Sequence, residues 1–391
     1  MEFETWWLLV IPLFFFVGWI SSRIDLRQLR QETKTLPETY FEGLNFLLNE
    51  EKDKAIDSLV ALANADQESV ELQLLVASFF RQRGELQRAI AIHKSLLDRS
   101  FLQPEQRLRC TFEIGLDYYK AGVLDRAEQS LLKVNSGTYQ AAALEALEAV
   151  YVSERQWEKA ISAANDREGI SSSERGLYVA HYLCEIGDSL FESGIFGDAE
   201  ERYLNALVND GRCVRACISL GLIERRRGNP EKALEYWTQV EERDERFTIL
   251  VSAKVLEVFT ELRRRLEGFS ALKRYFLRSP SPELLTLLVA HCETEDELLE
   301  VRQLVKEQFT LTKSIMWVEF LLQDFDFPEK RKISDELEFI RGVLRTISGN
   351  TDYGCTSCGF RAKVFHWQCP ACGDWQTLVP SNFKHVETIF G

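Results

Sequence analysis

Six alanines divide most of this chain into copies of one pattern. Ala55, Ala89, Ala127, Ala160, Ala199 and Ala233 follow one another at intervals of 34, 38, 33, 39 and 34 residues. Twelve residues before the alanine stands a small residue in most copies: Gly43, Ala77, Gly115, Gly187 and Gly221. Nine before stands a large one: Phe46, Phe80, Tyr118, Tyr151 and Leu190. Five before, Gly84, Gly122, Gly194 and Gly228 mark a turn. Small residues let two helices approach closely, the large one fills the space between them, and the glycine accepts a positive φ at a helix end. The pattern therefore predicts helix–turn–helix units repeated along the chain. Glu148 and Arg155 break it in the fourth copy, and Glu224 replaces the large residue in the sixth.

A period near 34 residues is that of the tetratricopeptide unit, and the chain resembles that family from about Tyr40 to about Asp244. Beyond Asp244 the pattern decays, yet amphipathic helices continue to near Ile347. The resemblance implies a superhelix whose concave face binds a peptide or protein segment. Nine prolines in 391 residues suit such uninterrupted helices. The formal charge of −14 argues against nucleic acid as a ligand, because an acidic surface repels phosphate backbones. Five histidines leave few acid–base constellations, and no phosphate-binding glycine loop, nucleophile elbow or H-E-x-x-H occurs. A non-enzyme is expected.

Residues Thr5 to Ser22 carry no charge, which just reaches the length that a helix needs to cross a bilayer. Trp6, Trp7 and Trp19 sit near its ends, where indoles favour the interface. A cleavable signal peptide would want a basic start, and here Glu2 and Glu4 stand instead. Arg23, Arg27, Arg30 and Lys34 follow the span and no basic residue precedes it, so the body is expected on the cytoplasmic side. Thiols there stay reduced.

The chain closes on a pair of C-x-x-C-G turns. Cys355, Cys358, Cys369 and Cys372 are the candidate metal ligands, suited to a tetrahedral four-thiolate site for one zinc or iron ion. Gly359 and Gly373 follow the second cysteine of each pair, and Pro370 stiffens the second turn. The intervening segment alternates as a short hairpin would. Phe360, Phe365, Trp367 and Trp375 are expected to supply most of a miniature core. A domain this small needs its metal for stability. The knuckles resemble those of rubredoxin, although rubredoxin has a longer insert between its pairs. A thioredoxin-like site would need a βαβ context that is absent. Cys110, Cys184, Cys213, Cys217 and Cys292 are expected to pack as small apolar residues, with Cys213 and Cys217 close enough on one helix to consider as ligands. His366 is expected to stay off the metal.

The order of these parts, with "YFEGLNFLLNEEKDKAID" near the start and "HWQCPACGDW" near the end, resembles the lipopolysaccharide assembly protein B (LapB) family over the whole chain. The resemblance implies an all-α tetratricopeptide-repeat superhelix with one N-terminal transmembrane helix and a small C-terminal rubredoxin-like four-cysteine domain. Its expected divisions are an anchor at 1–22, a juxtamembrane linker helix at 23–39, repeats at 40–347 that degenerate after about 245, and the metal domain at 350–391. It implies an inner-membrane adaptor that promotes degradation of the LpxC deacetylase by the membrane protease FtsH, and a scaffold for lipopolysaccharide assembly proteins. It also implies that the metal domain packs against the repeats and that its four cysteines matter for activity. A general membrane-bound scaffold and an iron redox carrier are the alternatives that the residues leave open.

Overall fold

The computed structural model describes residues 69–312 and 352–381, together with Val60 and Trp317. The expected membrane span at 5–22 and the first copy of the repeat, with Gly43, Phe46 and Ala55, lie outside the described residues. No helix among the described residues is long and apolar enough to cross a membrane. These residues form helix hairpins and one small sheet, in two compact units that divide between Glu154 and Arg155.

The first unit holds α1 (Val70–Gln82), α2 (Leu86–Leu97), α3 (Pro104–Lys120), α4 (Leu124–Leu131) and α5 (Gln140–Ser153). The second holds α6 (Trp157–Asp166), α7 (Ser172–Glu192), α8 (Phe196–Asn209), α9 (Val214–Arg226), α10 (Pro230–Arg243), a 3-10 turn (Glu245–Phe247), α11 (Ile249–Glu261), α12 (Arg265–Arg278), α13 (Pro282–Ala290) and α14 (Glu295–Thr312). It also holds the strands β1 (Asp352–Cys355), β2 (Arg361–Ala362) and β3 (Leu378–Ser381). Helix starts follow the local chemistry. Ser171 accepts the Glu174 N–H at the start of α7, and Pro230 and Pro282 occupy first turns where no N–H is required.

The repeat pattern has a direct structural meaning. Each turn glycine adopts the left-handed conformation, with φ of +79° at Gly84 and Gly194, +71° at Gly122 and +80° at Gly228. The next residue then sends its N–H back to the carbonyl of the residue at the bulky position. Val123 donates to Tyr118 and Ile195 to Leu190, each at 2.9 Å. This is the hydrogen bond of a Schellman cap, and it explains why the two positions keep a fixed spacing. The small residue twelve before the alanine faces the side chain four after it. A Cβ on Gly221 would lie 2.2 Å from Trp237 Nε1, and one on Gly187 2.6 Å from Tyr203 Cε1.

The departures keep this geometry by other means. Arg155 holds the turn position of the fourth copy with φ of +56°, as a non-glycine under strain. Glu224, in place of a bulky residue, is buried and accepts hydrogen bonds from Asn229 and Arg227, each at 2.8 Å. Burial opposes its charge, but these bonds outweigh it and keep the carboxyl below its usual range.

The geometry also outlasts the pattern expected to decay at Asp244. Helices α11 and α12 form another hairpin of the same kind. Arg263 takes the turn with φ of +56°, and Arg264 donates to the Phe259 carbonyl at 2.8 Å. Gly268 stands where the other copies have alanine, and a Cβ there would lie 2.9 Å from Phe259 Cβ. Glycine in place of alanine and arginine in place of glycine hide this copy from sequence comparison.

Candidate metal centre

Strand β1 is central in the sheet. It pairs antiparallel with β2, setting Tyr353 opposite Ala362, and with β3, setting Cys355 opposite Leu378. Two turns of one geometry hang from this frame. In the first, Gly359 N–H donates to the Cys355 carbonyl at 3.0 Å and Cys355 N–H to the Phe360 carbonyl at 2.8 Å. In the second, Gly373 N–H donates to Cys369 at 2.9 Å and Cys369 N–H to Asp374 at 2.8 Å. Gly359 and Gly373 both need positive φ, +76° and +80°, for the chain to turn back under the sulfurs.

The turns face one another and bring all four sulfurs within 4.8 Å of each other. Cys355 Sγ lies 3.7 Å from Cys372 Sγ, and Cys358 Sγ lies 3.8 Å from Cys369 Sγ. A tetrahedron with metal–sulfur bonds of about 2.3 Å has edges of about 3.8 Å, so the cradle fits a four-thiolate ion. Cys355 and Cys369 are buried and Cys358 and Cys372 are exposed. Burial raises the Cys355 thiol, but the Thr377 hydroxyl and the N–H groups of Cys358 and Ser357 outweigh it and bring it down to about 6. Partial desolvation by the surrounding sulfurs, and hydrogen bonds to Cys369, Cys358 and Cys355, push the exposed Cys372 the other way, up to about 12. Four thiolates at these distances repel one another, and a cation is what lets them ionise together. With four sulfurs the coordination closes, and no position remains for water or substrate. Among the described residues these cysteines are the one group of three or more ligating side chains within such a distance. His366 is exposed and outside it.

The aromatic residues of the segment depart from expectation. The chain between the turns is mostly irregular rather than a hairpin, with only Arg361–Ala362 as strand and an isolated bridge from Gln368 to Trp375. Cys355, Cys369 and Leu378 form the small core, with Tyr353, Phe360 and Phe365 packed against it. Trp367 and Trp375 instead face the helices of the second unit. Trp375, 4% exposed, stacks on His181 of α7 with centroids 4.9 Å apart and planes at 16°. Trp157 of α6 and Tyr182 of α7 meet Trp375 edge-on at 6.5 and 6.0 Å. Trp367 and Phe365 close on Phe247 at 5.9 and 6.1 Å. Composition places both tryptophans inside the domain because it shows apolar surface but not the partner that covers it.

Arg215 of α9 completes this clasp. Its guanidinium carbon lies 5.9 Å from both the Trp367 and Trp375 rings. The side chain is buried and paired with Asp188 at 2.5 Å and Glu185 at 2.8 Å. Burial works against its charge, and the two carboxylates more than compensate and raise its pKa. For His181 the balance runs the other way, and a hydrogen bond with Gln376 does not offset it. Burial, followed by repulsion from Arg215, lowers its pKa to about 3, so the ring is neutral. Sequence reasoning passed over both residues. A signal exists, since each lies six residues before the small residue of its copy, Gly187 or Gly221.

Comparison with known proteins adds to this geometry. The rubredoxin metal binding domain family matches residues 353–380, and a tetratricopeptide repeat family matches residues 184–244. Lipopolysaccharide assembly protein B of Escherichia coli (strain K12) is 27% identical over 377 residues, covering 95% of this chain and 97% of that protein. The chain is related to lipopolysaccharide assembly protein B over nearly its whole length. The protein of that name in Haemophilus influenzae is 26% identical, covering 96% of this chain and 98% of its own. Among solved structures, the C-terminal part of a repeat-containing protein from Cytophaga hutchinsonii aligns at a TM-score of 0.44 and 11% identity, over 65% of this chain and 100% of that one.

Proposed function

We propose that this protein is a non-catalytic adaptor of the inner membrane, anchored through residues 5–22 with its repeats and metal domain in the cytoplasm. It promotes FtsH-dependent degradation of the LpxC deacetylase and serves as a scaffold for lipopolysaccharide assembly proteins. Cys355, Cys358, Cys369 and Cys372 hold one iron or zinc ion. When bound, that ion supplies only cross-linking charge, because four sulfurs complete its shell. The observation that carries the reading is the clasp of Trp367 and Trp375 by Phe247, His181 and Arg215, which makes the cysteine domain part of the repeat surface. A redox carrier gains nothing from burying its aromatic face in a repeat array, whereas an adaptor gains a shaped surface from it. The similarity to lipopolysaccharide assembly protein B supports a role in lipopolysaccharide assembly.

The test is the lifetime of LpxC after protein synthesis is stopped, with this protein present or depleted. A longer lifetime on depletion is expected. An unchanged lifetime removes the client and leaves a general membrane-bound scaffold.

A further inference from the structure

We propose that Cys184 and Cys213 form an oxidisable pair, a modification site at which a peroxide closes a disulfide between α7 and the start of α9. Their sulfurs are 3.7 Å apart, in contact across the gap between the two helices, and both side chains are fully buried. A disulfide bond is about 2.0 Å long, so side-chain rotation and a small helix adjustment must supply the remaining approach. The other buried thiols of this unit stand elsewhere. Cys217 is one turn further along α9, and its thiol is pushed up to about 11 by burial.

The two thiols have unlike surroundings. Cys213 occupies the N-cap position of α9, at the positive end of the helix, and Arg215 stands two residues on. The hydrogen bond from Cys184 leads in lowering its pKa, against the burial that raises it. Cys184 lies within α7 with no backbone donor, and burial raises its thiol. Its place at a helix N-terminus, two residues from Arg215, makes Cys213 the attacking sulfur and Cys184 the resolving one. The Cys213 thiolate attacks one oxygen of hydrogen peroxide, the O–O bond breaks, and a sulfenic acid and hydroxide result. Cys184 then attacks the sulfenic sulfur. The S–S bond forms, the S–O bond breaks, and the departing oxygen leaves as water with the thiol proton. Two thiols and one peroxide give one disulfide and two waters. In a reducing compartment such a bond is transient, as sensing disulfides are.

The location gives the modification a target. His181 lies three residues before Cys184 and Arg215 two after Cys213, and these two side chains hold Trp375. A crosslink that draws α7 and α9 together acts on the clasp of the cysteine domain. That consequence rests on the adaptor reading, whereas the crosslink itself does not.

The experiment uses the full chain loaded with metal, so that the four terminal cysteines are engaged. It is treated with graded hydrogen peroxide, blocked with an alkylating agent, and digested with trypsin without reduction. Cleavage after Arg175 and Arg202 releases Cys184 on residues 176–202, and cleavage after Arg212 and Arg215 releases Cys213 on residues 213–215, apart from Cys217. A linked pair of these peptides is expected before metal is released, reversible by dithiothreitol and absent from Cys184→Ala and from Cys213→Ala. Metal release, or over-oxidation of Cys213, with no linked pair overturns the proposal. The readout is independent of LpxC turnover, so its failure is distinct from failure of the adaptor reading.

Discussion

Gly221 sets the tolerance of the repeat at the scale of one residue. Its missing Cβ is the space that Trp237 occupies, with Nε1 donating to the Ile218 carbonyl at 3.1 Å. Gly221→Ala must expel the ring from that bond, and overpacking of this kind costs about 1–3 kcal/mol. A lower urea midpoint than wild type is expected. The opposite sign is expected at Arg263, whose φ of +56° suits glycine better than any side chain. Arg263→Gly should raise the midpoint by the equivalent of about 1 kcal/mol, the usual cost of a left-handed non-glycine residue. His181 gives a pH dependence. Its folded pKa of about 3 lies below its ordinary value of 6.5, so the unfolded or undocked state binds the proton first. Stability is then fully present above pH 6.5 and falls as pH drops from there toward about 3, by about a factor of ten per unit. Chain stability measured at pH 6.5 and 5.0 should differ less in His181→Phe than in wild type. Equal slopes would mean that His181 is not the group that titrates.

At the scale of the element, what the sequence disclosed follows from how narrowly each structure constrains residue type. A close helix approach demands Gly or Ala, so the period of about 34 residues was legible in the described copies from Ala89 to Ala233. The hairpin of α11 and α12 was not, because Gly268 and Arg263 reach the same backbone geometry with other side chains. The four cysteines were legible because few other roles use paired C-x-x-C-G turns. Their tryptophans were not, since a ring that fills its own core and one that docks on a neighbour look alike in sequence. Trp375 shows the difference experimentally. Removing the metal from the cysteine domain should expose its indole and red-shift tryptophan emission, while the helical signal near 222 nm stays almost unchanged. Cys355→Ser should show the same emission without a chelator. A collapse of the helical signal would mean that the domain holds up the repeats themselves rather than being held by them.

For the whole molecule, the question is whether the ion or the docked surface matters to the proposed adaptor role. The structure separates the two, because the metal cradle is built from β1, β3 and the two turns, whereas the clasp is built from α6, α7, α9 and the 3-10 turn. Arg215→Ala removes the guanidinium from both indoles and leaves Asp188 and Glu185 without their cation, yet touches no sulfur. Asp188 and Glu185 are partly exposed and stay solvated, so the main loss is the buried guanidinium over the two indoles, about 2 kcal/mol, which weakens the hold on the cysteine domain. The variant should keep one metal per chain by elemental analysis and the four-sulfur coordination by X-ray absorption. It should nonetheless extend the lifetime of LpxC as far as Cys355→Ser does. If instead Arg215→Ala leaves LpxC turnover normal while Cys355→Ser slows it, the ion acts by some route other than docking. The repeat surface beneath Trp375 would then no longer be the working part.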